Sequence, residues 1–282
     1  MQITIKELAD AHNIRALKQY GQNFLFDSSL CVKIAKAAAL PANARVVEVG
    51  PGVAGLTIAL LQGGVGHLIV IEKDKRFLPL LQQVQSYYPN LEIIMRDAQD
   101  CKMEDLSGDD RQVHIVSNLP YNIGTKLLIG WAKEIDYIAT MTLMFQKEVG
   151  QRIVAEAHSK EYGRLSVIAQ LLFDVKKLFD IKSTAFTPAP KVDSVLLRFV
   201  PKKDYAEILN LIPFIEFVTH KAFAQRRKML GAWIKRIIPR ELMDEFASQI
   251  GLDMTLRAEN LTPATYMQIA RFLQWHDCSC AV

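Results

Sequence analysis

The stretch Arg45–Gln62, RVVEVGPGVAGLTIALLQ, places a short apolar β-rich run directly before a glycine-rich turn and an apolar helical pattern. Glycines let the backbone at such a turn approach a ligand closely, and the following helix offers unpaired N–H groups at its N-terminus. Glu72 closes the next β-rich run, 20 positions after Gly52. An acid at this distance can accept hydrogen bonds from the hydroxyls of an adenosine ribose. The stretch therefore predicts an α/β domain that binds a nucleoside-type cofactor at this turn.

The residues around this stretch repeat the same alternation of strand and helix. Helical spacing predicts helices at Leu56–Gln62, Phe77–Tyr88 and Thr125–Lys133. Between them lie buried-strand patterns at Arg45–Val49, His67–Glu72, Leu91–Met95, Val113–Ser117 and Ile138–Phe145. Such runs are typical of parallel strands joined by helical crossovers. Two later strands, Lys176–Ile181 and Val195–Val200, have no helix between them, so we expect an antiparallel end to the sheet.

The sequence pattern changes after Pro201, from alternating strands and helices to helices alone. Helical periodicity without a good strand runs from Tyr205 to Val282, and Pro213, Pro239, Gly251 and Pro263 divide it into about four helices. We therefore predict two domains: residues 1–202 form the α/β domain and residues 203–282 a small all-helical domain. No internal repeat interrupts this division.

Composition excludes several classes of protein. The chain has 282 residues, half of them apolar, and a net charge of +4. A chain of this length buries a large enough core to fold without a stabilising metal or disulfide, and the apolar fraction excludes a disordered chain. None of the four cysteines, Cys31, Cys101, Cys278 and Cys280, forms a C-x-x-C pair, so we expect reduced thiols and no metal site. The absence of a signal peptide or a membrane-length apolar run predicts a soluble cytoplasmic protein without membrane contact.

The stretch Asn118-Leu119-Pro120-Tyr121 leaves the fourth strand beside the topological switch point, where α/β sheets bind ligands. The Asn118 side-chain oxygen and a main-chain carbonyl at Leu119 or Pro120 could accept the two hydrogens of an exocyclic adenine amine. Such bonds favour a pyramidal, nucleophilic nitrogen, and Tyr121 could stack on the base and orient it. The stretch therefore predicts methyl transfer to a planar amine without a strong general base.

These residues leave the identity of the cofactor undecided. Gly50-x-Gly52-x-x-Gly55 also fits the dinucleotide fingerprint, so NAD must be weighed against S-adenosylmethionine. Asp97 ends the third strand, where its carboxylate could meet an adenine amine or could instead cap a helix. Neither the glycine pattern nor Asp97 decides by itself between NAD and S-adenosylmethionine.

At this point the chain resembles the ribosomal RNA adenine dimethyltransferases, with near-continuous coverage. The matching segments are Gln22–Leu25, Glu48–Thr57, Asn118–Thr125, Gln146–Val149, Tyr162–Val167, Phe186–Ser194, Phe223–Lys228 and Arg257–Asn260. The resemblance implies a Rossmann-like class I methyltransferase with a seven-stranded, mostly parallel sheet. It also implies two methyl groups on each of two adjacent adenosines near the 3′ end of 16S rRNA, in assembling small ribosomal subunits. We expect the protein to act as a monomer.

The family's functional residues map onto matching positions here. By resemblance, Asn118, Leu119, Pro120 and Tyr121 form the catalytic tetrad, and S-adenosylmethionine is bound by Asn23, Leu25, Gly50, Glu72, Asp97 and Asn118. Two positions depart from the family pattern. Ala54 stands where many relatives have glycine, which is tolerated if its φ is negative, and Gly124 replaces the usual serine.

Contacts to RNA are predicted at three places. We expect Tyr121 and Phe186, which begins the turn Phe-Thr-Pro-Ala-Pro, to clamp a splayed-out base; the alternative for Phe186 is a buried core residue. From Phe217 to Arg240 the chain has seven basic residues and no acid. This basic band includes Arg226, Arg227 and Lys228, and we expect it to bind RNA phosphates rather than only to be solvated.

Three rival functions remain. The related 23S rRNA methyltransferases of the macrolide-resistance type share the tetrad, but Phe223–Lys228 and Arg257–Asn260 favour the small-subunit enzyme. DNA adenine methyltransferases are expected to have Pro-Pro where Leu119-Pro120 stands. A non-catalytic assembly factor on this fold would be expected to have a decayed tetrad, which is intact here.

Overall fold

The computed structural model describes residues 4–17, 21–108 and 112–278. Cys280, one of the four cysteines expected to be reduced, lies outside these ranges. The strands are β1 (Phe24–Leu25), β2 (Arg45–Val49), β3 (His67–Glu72), β4 (Leu91–Met95), β5 (Val113–Asn118), β6 (Ile138–Gln146), β7 (Phe173–Ile181), β8 (Phe186–Thr187) and β9 (Ser194–Pro201). The helices are α1 (Ile5–Ala11), α2 (Ser28–Ala37), α3 (Gly55–Gln62), α4 (Leu78–Tyr87), α5 (Met103–Ser107), α6 (Gly124–Ala132), α7 (Lys147–Val154), α8 (Arg164–Leu172), α9 (Tyr205–Ala224), α10 (Gly231–Ile237), α11 (Met243–Ile250) and α12 (Pro263–Trp275).

Seven strands form one twisted sheet in the order β4-β3-β2-β5-β6-β9-β7. Strands β2 to β6 pair in parallel, and β9 pairs antiparallel with β6. The predicted α/β class, with its mostly parallel sheet and antiparallel end, is confirmed. Strands β2 and β3 are buried along nearly their whole length, as their continuous apolar sequences predict. Since the chain order reverses between β2 and β5, a ligand crevice is expected at the carboxyl ends of these strands.

The glycine-rich turn is enclosed by the N-terminal part of the chain. Helix α3 is buried on all sides except at its last residue, so it packs against neighbours on every face. A Cβ at Gly55 would lie 2.6 Å from the Leu25 carbonyl oxygen, which leaves no space for a side chain. Glycine at the start of α3 therefore lets the short strand β1 lie directly against the turn.

The chain divides into two compact units that differ from the single boundary expected at 202/203. One unit comprises 1–150 and 176–201, and the other 151–175 and 202–282. The second unit takes in α8, since this apolar helix packs against α9 and α12 and the Leu172 carbonyl accepts the Lys202 N–H. Within the described residues, four α-helices follow Lys202, as expected, but Pro213 lies inside α9 instead of ending a helix.

The described residues contain neither a membrane-spanning helix nor a cluster of metal-ligating side chains. No helix within residues 4–17, 21–108 and 112–278 combines the length and apolar character needed to cross a bilayer. The same residues contain no group of three or more His, Cys, Asp or Glu side chains arranged to hold a metal ion.

Candidate active site

A cavity of about 320 Å³ lies at the carboxyl ends of β2, β3, β4 and β5. Its wall comes from five segments: 21–25, 48–53 with 55–56, 71–74, 96–99 and 118–123. All six residues assigned to the cofactor by resemblance line this one cavity: Asn23, Leu25, Gly50, Glu72, Asp97 and Asn118. The fold thus brings together residues that are up to 95 positions apart in sequence.

Backbone conformation at the turn after β2 corrects one expectation. Gly50 and Gly52 have φ of +69° and +53°, which glycine adopts without strain. Ala54 was expected to be tolerated if its φ is negative, but its φ is +62° in the left-handed region. Its Cβ therefore imposes a strain of about 1–2 kcal/mol.

Two buried carboxyls face the cavity. Glu72 accepts hydrogen bonds from the N–H of Asp74 at 2.8 Å and of Gly52 at 3.4 Å, and burial raises its pKa. Glu48 accepts a bond from the Thr57 hydroxyl at 2.7 Å, and burial, together with the charge of Glu72, raises its pKa to about 8. Among the described residues, no lysine or arginine pairs with either carboxyl. Glu72 therefore offers carboxyl oxygens as hydrogen-bond acceptors to a ligand in the cavity that has hydroxyl groups.

Glu48 is a site residue that the sequence analysis did not single out. Its position as the acid directly before the glycine turn, on a strand predicted to be buried on both faces, was the available signal. A carboxyl that is 2% exposed at such a point either serves a ligand or destabilises the fold.

Asp97 performs the structural role that the sequence left open. Its carboxylate caps residues 98–100 through the Gln99 N–H at 3.0 Å and pairs with the Lys73 ammonium at 2.7 Å. The Lys73 bond is the main cause that lowers the pKa of Asp97. Asp97 also lines the cavity, so helix capping does not exclude a contact with the cofactor.

The segment before α2 closes one side of the cavity. The Gln22 amide donates to the Asp74 carboxylate at 3.0 Å, and β1 pairs antiparallel with β8. The Asn118 amide nitrogen donates to the Asn23 carbonyl at 3.4 Å. These bonds hold residues 22–25 at the cavity, as the sequence analysis expected.

The predicted tetrad lies at the end of β5, and its hydrogen bonds distinguish between the two candidate carbonyls. Because the Asn118 nitrogen is turned to Asn23, the Asn118 side-chain oxygen remains as an acceptor. The Pro120 carbonyl already accepts the N–H groups of Ile123 and Gly124, both at 3.1 Å. No donor within the described residues contacts the Leu119 carbonyl. Of these oxygens, the Asn118 side-chain oxygen and the Leu119 carbonyl are therefore the two that have no donor within the described residues.

Tyr121 is half-buried, and its hydroxyl lies 2.6 Å from the hydroxyl of Ser194 at the start of β9. Burial raises the pKa of the phenol, so it stays protonated at neutral pH. The tyrosine is thus fixed at both ends, by the chain at the tetrad and by the strand edge at its hydroxyl.

Phe186 does not present its ring at the surface as a base clamp would. It is 3% exposed and lies in β8 opposite Leu25, within the hydrophobic core. The sequence left two alternatives for Phe186, a base clamp and a core residue. In the structure Phe186 is a core residue, because its strand pairs with β1 and the ring lies inside.

Arg226 is also not the free phosphate contact that the sequence predicted. Its guanidinium pairs with the Glu259 carboxylate and donates to the carbonyls of Ser159 and Lys160. Arg227 and Lys228, by contrast, are exposed. The basic band is therefore presented by the neighbours of Arg226, while Arg226 itself ties two loops together.

NAD-dependent dehydrogenases share this type of sheet, but hydride transfer does not require a pair of amine acceptors beside the cofactor cavity. A doubly wound sheet with open acceptors at Asn118 and Leu119, beside a cavity that Glu72 lines, is typical of a Rossmann-like methyltransferase that uses S-adenosylmethionine.

The chain belongs to the ribosomal RNA adenine dimethylase family, whose model matches residues 13–275. A protein of Agrobacterium fabrum named ribosomal RNA small subunit methyltransferase A is 40% identical over 273 residues, which cover 95% of this chain and 97% of that protein. A protein of the same name from Phenylobacterium zucineum is 42% identical over 269 residues, with coverage of 95% and 91%.

Solved structures of two further proteins share the fold. The dimethyladenosine transferase of Plasmodium falciparum has a TM-score of 0.76 at 24% identity, covering 91% of this chain and 98% of its own. The 23S rRNA methyltransferase ErmE has a TM-score of 0.67 at 24% identity, with coverage of 89% and 100%. At this identity both comparisons support the architecture and do not distinguish between RNA substrates.

Proposed function

We propose that this protein transfers methyl groups from S-adenosylmethionine to N6 of adenosine in 16S rRNA. The substrate is the assembling small ribosomal subunit in the cytoplasm, where two adjacent adenosines near the 3′ end each receive two methyl groups. The observation that carries the chemistry is the pair of unused acceptors, the Asn118 side-chain oxygen and the Leu119 carbonyl, at one cavity. Family membership and the names of relatives about 40% identical support the choice of RNA.

The acceptors act on the electronic structure of the amine. An exocyclic adenine amine is a poor nucleophile, because its lone pair is delocalised into the ring. Hydrogen bonds from its two N–H groups to Asn118 and Leu119 favour a pyramidal nitrogen and stabilise the positive charge that develops on it. The cofactor supplies an electrophilic methyl group on a sulfonium. No histidine lines the described part of the cavity, and none is required, since the product nitrogen is acidic enough to lose its proton to water.

Cofactor binding is assigned to residues on three strand ends. Glu72 would accept hydrogen bonds from the ribose hydroxyls, and Asp97 would accept one from the adenine amine. The open backbone at Gly50 and Gly52 would admit the methionine part. Asn23 and Leu25 would close the site from the N-terminal side.

The test of the chemistry is the change Asn118→Ala. We expect it to reduce methylation of unmethylated small subunits by more than 100-fold, because one of two acceptors is lost where charge develops. Binding to the particle should stay within about twofold of wild type. Methylation at the wild-type rate by this variant would overturn the mechanism.

RNA docking is assigned to the exposed members of the basic band. We expect Arg227→Ala with Lys228→Ala to weaken binding to the small subunit and to reduce the slope of log affinity against log salt by about 1–2, because each phosphate contact releases counterions. The matched control changes two exposed lysines of the other unit, Lys36→Ala and Lys133→Ala. An unchanged slope in the first variant would remove the basic band from the proposal.

A further inference from the structure

The hydroxyl of Ser194 is placed against the catalytic tetrad by a strand that the mechanism above does not use. Ser194 is the first residue of β9 and is fully buried, and its Oγ lies 2.6 Å from the Tyr121 hydroxyl. The two residues are 73 positions apart, so only the fold brings them together. A buried hydroxyl pair at this distance is a strong, specific contact.

The chain immediately before Ser194 is fixed by its own hydrogen bonds. The Asp193 carbonyl accepts the Lys147 N–H at 2.9 Å. The Asp193 carboxylate accepts the Ser183 N–H at 2.9 Å and pairs with the Lys182 ammonium at 3.1 Å. Three contacts to two different segments therefore hold the backbone from which the Ser194 side chain projects.

The strand that follows Ser194 is equally confined. Ser194 pairs with Gln146 at the end of β6. A Cβ built at Gly150 of α7 would lie only 2.1 Å from a methyl of Val195, which shows how closely that helix packs on β9. Ser194 is thus a rigid point, and the Tyr121 hydroxyl is bound to it.

The two parts of the tyrosine side chain then have different tasks. The aromatic ring provides the stacking surface for a base, and the hydroxyl sets the direction of the ring. The phenol keeps its proton because burial raises its pKa, so the hydroxyl pair stays intact at neutral pH. A tyrosine is needed here, and not only a flat ring, if ring orientation decides how well the amine meets the two acceptors.

We propose that Ser194 is a positioning residue for methyl transfer: its hydroxyl holds the ring of Tyr121 at the angle at which the ring stacks on the target adenine. This role rests on the proposed function, because it needs a flipped adenine beside the tetrad. Ser194 itself is not among the residues that line the cofactor cavity.

A double-mutant cycle tests the proposal. Ser194→Ala and Tyr121→Phe each remove one side of the hydroxyl pair, and Tyr121→Phe keeps the stacking ring and does not empty a buried position. We expect each change to lower kcat on unmethylated small subunits by roughly 10-fold, with KM for the particle and Kd for S-adenosylmethionine within about twofold of wild type. The double variant should be no slower than the single variants, because both remove the same contact.

The control is Ser107→Ala, which removes another buried serine hydroxyl, bonded to the Glu104 carbonyl at 2.8 Å. It should leave kcat unchanged. Multiplicative losses in the double variant, or a Tyr121→Phe variant with wild-type kcat, would overturn the role of Ser194. Failure of the proposed function gives a different result: wild type leaves 16S rRNA unmethylated, and the cycle is then measured on the RNA that does take the methyl group.

Discussion

Replacing Glu48 by glutamine tests whether a buried carboxyl in the cofactor cavity reduces the stability of the free protein. Glu48 is buried next to Thr57 and Glu72, and its pKa is raised from about 4.5 to about 8. The folded protein therefore holds a proton that the unfolded chain releases above about pH 4.5. Stability from this group is fully present below pH 4.5 and is lost as the pH rises toward 8.

The size of the effect follows from the two pKa values. Between pH 5 and pH 9 the difference corresponds to about 4 kcal/mol of unfolding free energy, at roughly 1.4 kcal/mol for each tenfold change in proton affinity. Glutamine keeps an oxygen that can accept the Thr57 hydroxyl and has no charge to bury. We therefore expect Glu48→Gln to be close to wild type at pH 5 and about 3–4 kcal/mol more stable at pH 9, relative to wild type at each pH.

Urea unfolding of the cofactor-free protein at pH 5, 6, 7, 8 and 9 measures this difference. Glu161→Gln, at an exposed glutamate, is the matched control and should follow the wild-type curve at every pH. If the curves for Glu48→Gln and wild type run parallel across this range, Glu48 is ionised in the folded protein and the reasoning is refuted.

Four further substitutions have expected outcomes that thermal or urea unfolding can check. Ala54→Gly should raise the unfolding free energy by about 0.5–1 kcal/mol, because relief of left-handed strain exceeds the added chain entropy; a loss of stability would contradict the positive φ. Gly150→Ala should destabilise by about 1–3 kcal/mol, since its Cβ would lie 2.1 Å from a Val195 methyl, whereas Gly130→Ala, with no atom within 4 Å, should stabilise α6 slightly. Equal effects of the two glycine changes would contradict the packing. Arg226→Ala should cost about 1–2 kcal/mol, since one carboxylate and two carbonyls lose a donor; unchanged stability together with lost RNA binding would restore it as a phosphate contact.

Much of the α/β unit could be predicted from the sequence. Strands β2, β3 and β4 have the predicted bounds. β2 and β3 are buried parallel strands and therefore continuous apolar runs between turns. The position of the cofactor cavity could also be predicted from the sequence. The glycine turn and the stretch after β5 each follow a strand, and Glu72 ends one, all at the same edge of the sheet.

What could not be predicted depends on distant partners. A local count of basic residues cannot show that Arg226 is paired with Glu259, 33 positions away. Phe186 is in the core because β8 pairs with the two-residue strand β1, which is too short to have a sequence signal. The left-handed backbone at Ala54 is likewise imposed by the turn around it and not by its own preference.

The central claim is methyl transfer to adenosines of 16S rRNA, and mapping of a transferred label tests it most directly. Purified protein is supplied with methyl-labelled S-adenosylmethionine and, separately, with unmethylated 30S particles, 50S particles and duplex DNA. We predict label only in 16S rRNA, as N6-dimethyl groups on two adjacent adenosines near the 3′ end, with none when Asn118→Ala replaces the wild-type protein. Label only in 23S rRNA or in DNA would contradict the account.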